Sequence, residues 1–231
     1  PFSAALVGFF FSLGYFGFSL SWIGNALLVE GNPYWWAWPL AVSGLPIILS
    51  AFTALACYIH KRICKDKNNY LTFILFVILI FSAELMRGTM FTGFPWNLYG
   101  YTWIDILPIA QISGLYNIYL LSFVTIFWCA SPAYLLTAQN HKILKLLISL
   151  FVVSTLIASY LWGLTIMQRK QDDTLEPYGF KLVQPNFAQS EKWKMENRTP
   201  NFLKLVELSK YNESDDLVDK KAYYIIWPET A

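Results

Sequence analysis

The chain has 231 residues, of which 56% are hydrophobic, 18% aromatic and only 14% charged, with a mean hydropathy of +0.41. A water-soluble domain carries about 25% charged residues, so this composition argues against an ordinary soluble fold and against disorder. The net charge of +2 without a long basic cluster argues against a nucleic-acid-binding protein. The charged residues are also unevenly distributed along the chain. Residues 1–167 hold seven Lys or Arg and four Asp or Glu, whereas residues 168–231 hold ten Lys or Arg and eleven Asp or Glu.

Five apolar stretches in the first part are long enough to cross a bilayer, which takes about 20 helical residues. They cover residues 2–22, 39–59, 71–91, 112–136 and 146–167. A buried helix of a soluble protein is the alternative for any one of them. Five together predict a transmembrane helical domain over residues 1–167, in a multi-pass membrane protein.

Basic residues lie in two connections between these stretches. The second and third stretches are joined through Lys61, Arg62, Lys65 and Lys67, and the fourth and fifth through Lys142 and Lys145. Lys and Arg accumulate on the cytoplasmic side of membrane proteins. Both connections are therefore predicted to be cytoplasmic, and everything after residue 167 is predicted to lie on the outer side.

The three cysteines, Cys57, Cys64 and Cys129, lie in or beside apolar stretches without paired spacing. This pattern favours small buried thiols over disulfides or metal ligands. The sequence predicts neither a metal site nor a cofactor.

After residue 167 the chain resembles a water-soluble fold. A polar linker, 168–178, precedes a predicted strand at 179–184, and the run Tyr223–Trp227 predicts a strand buried on both faces. Between them, Thr199 and Pro200 predict an N-cap and the first residue of a helix. Strand, helix and strand predict a β-α-β unit with a parallel sheet over 179–231, so the fold class is a membrane helical bundle followed by the start of an α/β domain.

Three acidic or basic side chains could carry chemistry. Glu229 follows the second predicted strand, where functional groups of open α/β sheets project, although a solvated loop glutamate is the alternative. Glu84 and Arg87 share one helical face near the end of the third stretch. Either they pair with each other, or Arg87 attracts the phosphate of a lipid headgroup.

The loop after the third stretch is unusually aromatic. Between Thr92 and Tyr101, Gly93 and Pro95 favour a non-helical path, and four aromatic residues favour the membrane surface. A plain interfacial loop and a re-entrant segment lining a lipid entrance both fit this pattern.

Three motifs of the sequence resemble one family. The first motif is Arg87-Gly88 with Phe91-Thr92-Gly93-Phe94-Pro95-Trp96. The second is Leu182-Val183-Gln184-Pro185-Asn186 with Gln189 and Lys192-Trp193, and the third is Ile226-Trp227-Pro228-Glu229. The family that all three resemble is bacterial apolipoprotein N-acyltransferase. The resemblance covers the whole chain but only the middle of the family's architecture. In that family a periplasmic nitrilase-like domain follows the membrane helices, so the resemblance implies an inner-membrane protein and a nitrilase-like identity for 179–231.

The resemblance also implies a reaction. The family moves an acyl chain from a phospholipid donor to the N-terminal amine of a diacylglyceryl-cysteine on a lipoprotein acceptor, through a Cys thioester and a Glu-Lys-Cys triad. By motif, Glu229 is the proton acceptor, and Trp193 lies near the lipid cleft, although a core aromatic is the alternative for Trp193. Gly93, Phe94, Pro95 and Trp96 shape the membrane-facing rim of the site.

The family's Lys and Cys fall beyond Ala231, so the chain by itself is expected to be inactive. Two other functions stay open from the sequence. One is a membrane-anchored amidase of the nitrilase superfamily, and the other is a non-catalytic membrane protein.

Overall fold

The computed structural model describes residues 1–29, 31–65, 67, 69–91, 93–137, 142–169, 178–192, 194–210 and 222–228. The chain divides into two compact units, the first formed by 1–28 with 32–169 and the second by 29–31 with 170–231.

The first unit is helical. Its helices are α1 (Phe2–Ser19), α2 (Trp38–Cys64), α3 (Tyr70–Thr89), the short α4 (Leu107–Ala110), α5 (Ile118–Thr137) and α6 (Lys142–Gln168). Within the described residues, five helices are long and apolar enough to cross a membrane: α1, α2, α3, α5 and α6. The predicted five long apolar helices are therefore present.

The predicted stretches differ from the observed helices at several ends. The second was expected to end at residue 59, but α2 continues to Cys64, and the fifth was expected to begin at residue 146, but α6 begins at Lys142. The first was expected to reach residue 22, but α1 ends at Ser19 and a 3₁₀ helix, Ser21–Leu28, continues the chain. The fourth was expected to begin at residue 112, but α5 begins at Ile118. The Asn117 side-chain oxygen accepts hydrogen bonds from the backbone N–H groups of Tyr119 and Leu120, at 3.0 and 3.2 Å, so a local capping residue interrupts an uncharged run.

Helix α3 has a well-defined start. Asn69 and Thr72 form a capping box, in which each side chain accepts a hydrogen bond from the other residue's backbone N–H. The helix then packs between α2 and α5 through a core of seven buried residues: Ala56, Phe73, Val77, Ile80, Ala83, Ile126 and Tyr134. This packing holds α3 in place between its neighbours.

The outer surface of the first unit is strongly apolar. On α6 only Gly163 is buried, and Cys129 of α5 is exposed. The prediction of buried thiols is thus wrong for Cys129, although Cys64 is buried and Cys57 half-buried. In a membrane helix an apolar side chain can face hydrocarbon, so hydrophobicity alone does not predict burial.

The second unit contains a two-stranded parallel sheet. Strands β1 (Tyr178–Leu182) and β2 (Ala222–Ile226) pair in register from Tyr178 with Ala222 to Leu182 with Ile226. Helices α7 (Gln189–Lys192) and α8 (Arg198–Ser209) lie between them in the chain. The predicted parallel pairing is present, but β2 is not buried on both faces, since Tyr224, Ile225 and Ile226 are exposed among the described residues.

Helix α8 packs on the end of β2. The indole Nε1 of Trp227 donates a 2.8 Å hydrogen bond to Ser209, and the Trp227 ring contacts Phe202 edge-on. The predicted N-cap at Thr199 is wrong, because a 3₁₀ turn at Met195–Asn197 already leads into α8 and Asn197 is its N-cap. Pro200 is tolerated within the first turn because the N–H groups there have no partner inside the helix.

Candidate functional site

The end of α3 and the following segment form a structured loop, here called the Trp96 loop and defined as residues 93–101. Its backbone contains residues with positive φ: Gly93 at 80° and Asn97 at 53°, with Phe91 at 53° just before it. A bulky residue rarely adopts this conformation, so the loop persists only where its surroundings fix it.

Glycine is required at position 93 for two reasons. A side chain would be strained at φ of 80°, and a Cβ atom there would clash with the carbonyl oxygen of Gly88. This tight approach lets the loop turn back onto α3, where the backbone N–H of Phe94 donates a 2.9 Å hydrogen bond to the carbonyl of Arg87. The loop therefore caps the end of the helix that precedes it.

Arg87 holds the loop by its backbone. Its guanidinium donates hydrogen bonds to the carbonyl oxygens of Phe94 at 2.8 Å, Trp96 at 2.7 Å and Asn97 at 3.4 Å. The guanidinium also lies 4.9 Å from the centre of the Phe16 ring. The residue is only 4% exposed, so its charge is directed to the loop's carbonyls.

Glu84, one turn before Arg87 in α3, also binds the loop. Its Oε1 lies 3.9 Å from Arg87 Nη2 and accepts a 2.6 Å hydrogen bond from the backbone N–H of Tyr99. Ser122 of α5 accepts a bond from the N–H of Gly100 at 2.9 Å, and the Tyr15 hydroxyl donates to the Asn97 carbonyl at 3.2 Å. Carbonyl and N–H groups of the loop are thus satisfied inside the helical bundle, as a low-dielectric setting requires.

The short distance between Glu84 and Arg87 agrees with the prediction that the two side chains pair with each other. Attraction of a lipid phosphate by Arg87 stays a prediction. In the structure the Arg87 guanidinium is 4% exposed and donates hydrogen bonds to the loop carbonyls, which holds the loop in place.

Pro95, Trp96 and Tyr101 of the loop are exposed, whereas Leu98 is buried. Trp96 is 51% exposed, and its ring stacks on Trp22 at 5.2 Å and on Phe94 at 6.2 Å. A pocket of about 300 Å³ opens beside them, lined by Pro95, Trp96, Asn97 and Tyr101. The result is a rigid aromatic surface at the end of a bundle of apolar helices.

Tyr99 lies on the inner side of the loop, where its backbone N–H binds Glu84. Burial, together with the nearby Glu84 carboxylate, raises the pKa of the Tyr99 phenol above its ordinary value. The Tyr99 phenol therefore stays protonated at neutral pH, as an ordinary tyrosine does. Within the described part of the loop, no side chain combines exposure with the chemistry of a general base.

Comparison with known proteins gives this site a context. The family model described as the apolipoprotein N-acyltransferase N-terminal domain matches residues 1–131. The chain belongs to the apolipoprotein N-acyltransferase family. It is accordingly a multi-pass membrane protein of an acyltransferase family.

Curated apolipoprotein N-acyltransferases from several bacteria are similar to the chain over nearly all of its length. Those of Brucella suis and Bradyrhizobium diazoefficiens are each 34% identical to it, over 228 and 230 residues, which is 99% of this chain and 42% of each relative. That of Rickettsia bellii is 31% identical over 228 residues, 99% of this chain and 43% of its own. The chain thus spans less than half the length of these relatives.

The residues that the apolipoprotein N-acyltransferase motifs single out fall into two groups. Gly93, Phe94, Pro95 and Trp96 lie together in the Trp96 loop, with Arg87 beneath them. Trp193 and Glu229 lie outside the described residues.

Sequence reasoning missed several residues that shape the site. Trp22 stacks on Trp96, and nothing in the apolar stretch that contains Trp22 predicts this contact. Tyr15 and Ser122 bind the loop backbone from other helices, and no local sequence pattern announces such a long-range contact. Asn97 could have been noticed, since Asn tolerates positive φ and often marks a tight turn.

Proposed function

We propose that this chain contributes the membrane part and the start of the outer domain of an enzyme that transfers an acyl chain from a phospholipid to the N-terminal amine of a diacylglyceryl-cysteine. The observation that carries the proposal is the Trp96 loop, whose backbone is fixed by buried charges while Trp96 and Tyr101 are exposed beside a pocket. Such a surface suits a lipid with an apolar tail and a polar head.

The proposed reaction has two balanced steps. A cysteine thiolate attacks the ester carbonyl of the phospholipid, forming a thioester and releasing a lysophospholipid whose alcohol oxygen takes up a proton. The acceptor amine then attacks the thioester, forming an amide, losing one proton and returning the thiol. Glu229 accepts the thiol proton in the first step and the amine proton in the second.

The sulfur nucleophile in this scheme is none of Cys57, Cys64 or Cys129. Cys57 and Cys64 belong to α2, where they contribute to helix packing or lie near its end, and Cys129 lies on the apolar surface of α5. By resemblance to the family, the nucleophile and the triad Lys lie C-terminal to Ala231. We propose a nitrilase-like fold for the domain that β1, α8 and β2 begin.

The Trp96 loop is proposed to support the acyl donor, not to take part in the chemistry. Phe94 and Trp96 present flat apolar faces to the acyl chain, and Arg87 keeps those faces in place through the loop carbonyls. By resemblance to the family, Trp193 is proposed to shield the acyl chain of the substrate.

The orientation follows from charge. Lys61, Arg62, Lys65 and Lys67 are proposed to lie on the cytoplasmic side of the bacterial inner membrane, which puts the Trp96 loop and the residues after α6 on the periplasmic side. This side is where lipoprotein acceptors and the outer leaflet of the inner membrane are available.

Acyl transfer from labelled phosphatidylethanolamine to a diacylglyceryl peptide tests the function directly. The protein, expressed from its complete reading frame and reconstituted in vesicles, should label the peptide and carry a hydroxylamine-sensitive acyl group itself. Glu229→Gln should lower both signals about 10²–10⁴-fold, the usual loss on removing a general base. Full labelling by Glu229→Gln would remove this assignment, and no labelling by the unaltered protein would remove the proposed activity.

The role of the loop is tested by a matched pair of tryptophans. Trp96→Ala should raise the KM for the phospholipid and lower kcat/KM about tenfold, equivalent to about 1.4 kcal/mol of binding. Trp36→Ala is the control, because Trp36 is similarly exposed at 59% but does not line the pocket beside Trp96. Equal effects of the two substitutions would mean that Trp96 is only a membrane anchor.

A further inference from the structure

A second cleft lies at the opposite end of α3 from the Trp96 loop. It has a volume of about 580 Å³, within the range of about 300–1,000 Å³ usual for ligand sites. Thr72 lines this cleft and Arg87 lies at the other end of the helix, a separation of about 22 Å at 1.5 Å per residue. The two sites can therefore be tested independently.

The cleft has a cationic side and an apolar side. Lys61, Lys65 and Lys67 line the first together with His60, and none of the described residues around the cleft is acidic. Asp66 lies outside the described residues, and with it the segment 60–69 keeps a formal excess of positive charge. The apolar side is lined by Phe73, Phe76, Ala130, Ala133 and Tyr134.

The shape of the cleft follows from the sequence. Ala130 and Ala133 present only methyl groups from α5, which leaves space between α5 and the ends of α2 and α3. The Tyr134 ring stacks on Phe73 at 4.9 Å and forms one wall. His60 donates from Nε2 to the carbonyl of Thr72 at 2.9 Å, which ties α2 to α3 across the turn.

Lys65, which lines the cleft, also has unusual backbone geometry. Lys65 ends α2 with φ of 54° and ψ of −113°, a region that favours glycine. Strained non-glycine residues persist where the surroundings or the function demand them. Here the residue kept at the strained position is a lysine that lines the cleft.

Three lysines among the lining residues, with no acidic side chain among the described ones, favour an anionic ligand over a neutral one. Because the cleft continues from the lysines onto aromatic and methyl groups of membrane helices, the anion it suits carries hydrocarbon as well as charge. Basic pockets between transmembrane helices on the cytoplasmic side are known to bind anionic lipid headgroups.

We propose that this lysine cleft binds an anionic phospholipid of the cytoplasmic leaflet, with its phosphodiester near Lys61, Lys65 and Lys67 and the upper part of an acyl chain against Phe76 and Ala133. The site is separate from acyl transfer. Its ligand is not consumed, and its selectivity comes from the negative headgroup.

Titration with short-chain lipids tests the proposal. The purified chain in a neutral detergent is mixed with dioctanoyl-phosphatidylglycerol, dioctanoyl-phosphatidylcholine or inorganic phosphate, and bound ligand is measured by native mass spectrometry. Phosphatidylglycerol should bind at least tenfold more tightly than either of the others. Equal binding of phosphatidylcholine, or of phosphate, would overturn the proposal, since the first needs no anion and the second needs no acyl chain.

Substitutions distinguish binding in the cleft from nonspecific attraction to the positive charge of this side of the protein. Lys61→Gln, Lys65→Gln and Lys67→Gln together should weaken phosphatidylglycerol binding at least tenfold. The control, Lys142→Gln with Lys145→Gln, removes charge from the start of α6 but not from the cleft, and should change binding less than twofold. An equal loss in the control would mean that only the overall charge of this side matters.

A variant that leaves the charge unchanged covers the case in which the triple variant fails to fold. Ala133→Phe fills the cleft from α5 and should also weaken phosphatidylglycerol binding at least tenfold, while the helical circular dichroism stays unchanged. Retained binding by Ala133→Phe would contradict the proposed location. Acyl-transfer activity of the complete protein is a separate readout, so this proposal and the proposed function can fail independently.

Discussion

At the two ends of α3, charged residues are used in different ways. Near Thr89, Arg87 and Glu84 are 4% and 3% exposed, and their hydrogen bonds go to backbone groups of the Trp96 loop. At the start of the helix, Lys65 and Lys67 line an open cleft beside α2 and α5.

The difference shows how burial decides what a charge can do. A buried guanidinium must be fully bonded within the protein, so it stabilises one backbone conformation and has little left for a ligand. Ammonium groups at a cleft mouth keep their capacity to bind an anion. In a membrane protein, finding a basic residue near a helix end therefore does not identify a lipid site unless its burial is known.

Removing the buried cation should have the largest effect on stability. Arg87→Met leaves Glu84 without its partner and deprives the carbonyls of Phe94 and Trp96 of a donor, so unfolding in detergent should become easier by about 3–5 kcal/mol. The double variant Glu84→Gln with Arg87→Met should recover at least about 1 kcal/mol, because no charge is then left buried alone. A loss below about 1 kcal/mol in Arg87→Met would mean that the loop does not depend on the pair.

A smaller loss of stability is expected from substitution of Gly93, the glycine at which the loop turns back onto α3. Gly93→Ala introduces strain at φ of 80° and a clash with the Gly88 carbonyl, and should destabilise the fold by about 1–3 kcal/mol. Gly114→Ala is the matched control, since a Cβ there meets nothing within 4 Å, and it should change stability by less than about 0.5 kcal/mol. Thermal unfolding monitored by circular dichroism would compare the two, and equal values would argue against the strain.

The smallest effect on stability, and one of opposite sign, is expected from substitution of Lys65 at the cleft. Lys65→Gly relieves backbone strain, offset by a more flexible unfolded chain, and should leave stability unchanged or raise it by up to about 1 kcal/mol. The same variant should bind phosphatidylglycerol more weakly. Lys67→Gly, at a residue without positive φ, should bring no gain in stability. Destabilisation by Lys65→Gly beyond about 1 kcal/mol would show that its conformation is not strained.

Much of the fold can be predicted from the sequence because bilayer thickness imposes a length on apolar helices. The break before Ile118 could not be read from hydropathy, since the run around it is uncharged and only the Asn117 cap reveals it. Exposure of β2 could not be predicted from its apolar residues either, because burial depends on which other segments cover the sheet.

The candidate site was only partly predictable for a related reason. The aromatic and glycine content of the Trp96 loop and the spacing of Glu84 and Arg87 are local patterns, and both were informative. The direction of the Arg87 side chain depends instead on where the loop carbonyls lie, and those are set by positive φ at Gly93 and Asn97 and by long-range bonds from Tyr15 and Ser122.

Amide hydrogen exchange in the Trp96 loop is the most direct test of the claim that buried charge holds this surface. In the protein embedded in nanodiscs, the amides of Phe94, Tyr99 and Gly100 should be protected, because each donates a hydrogen bond to α3 or α5. Arg87→Met should abolish that protection while leaving the first turns of α3 as slow to exchange as before. Unchanged protection of the loop in Arg87→Met would contradict the account.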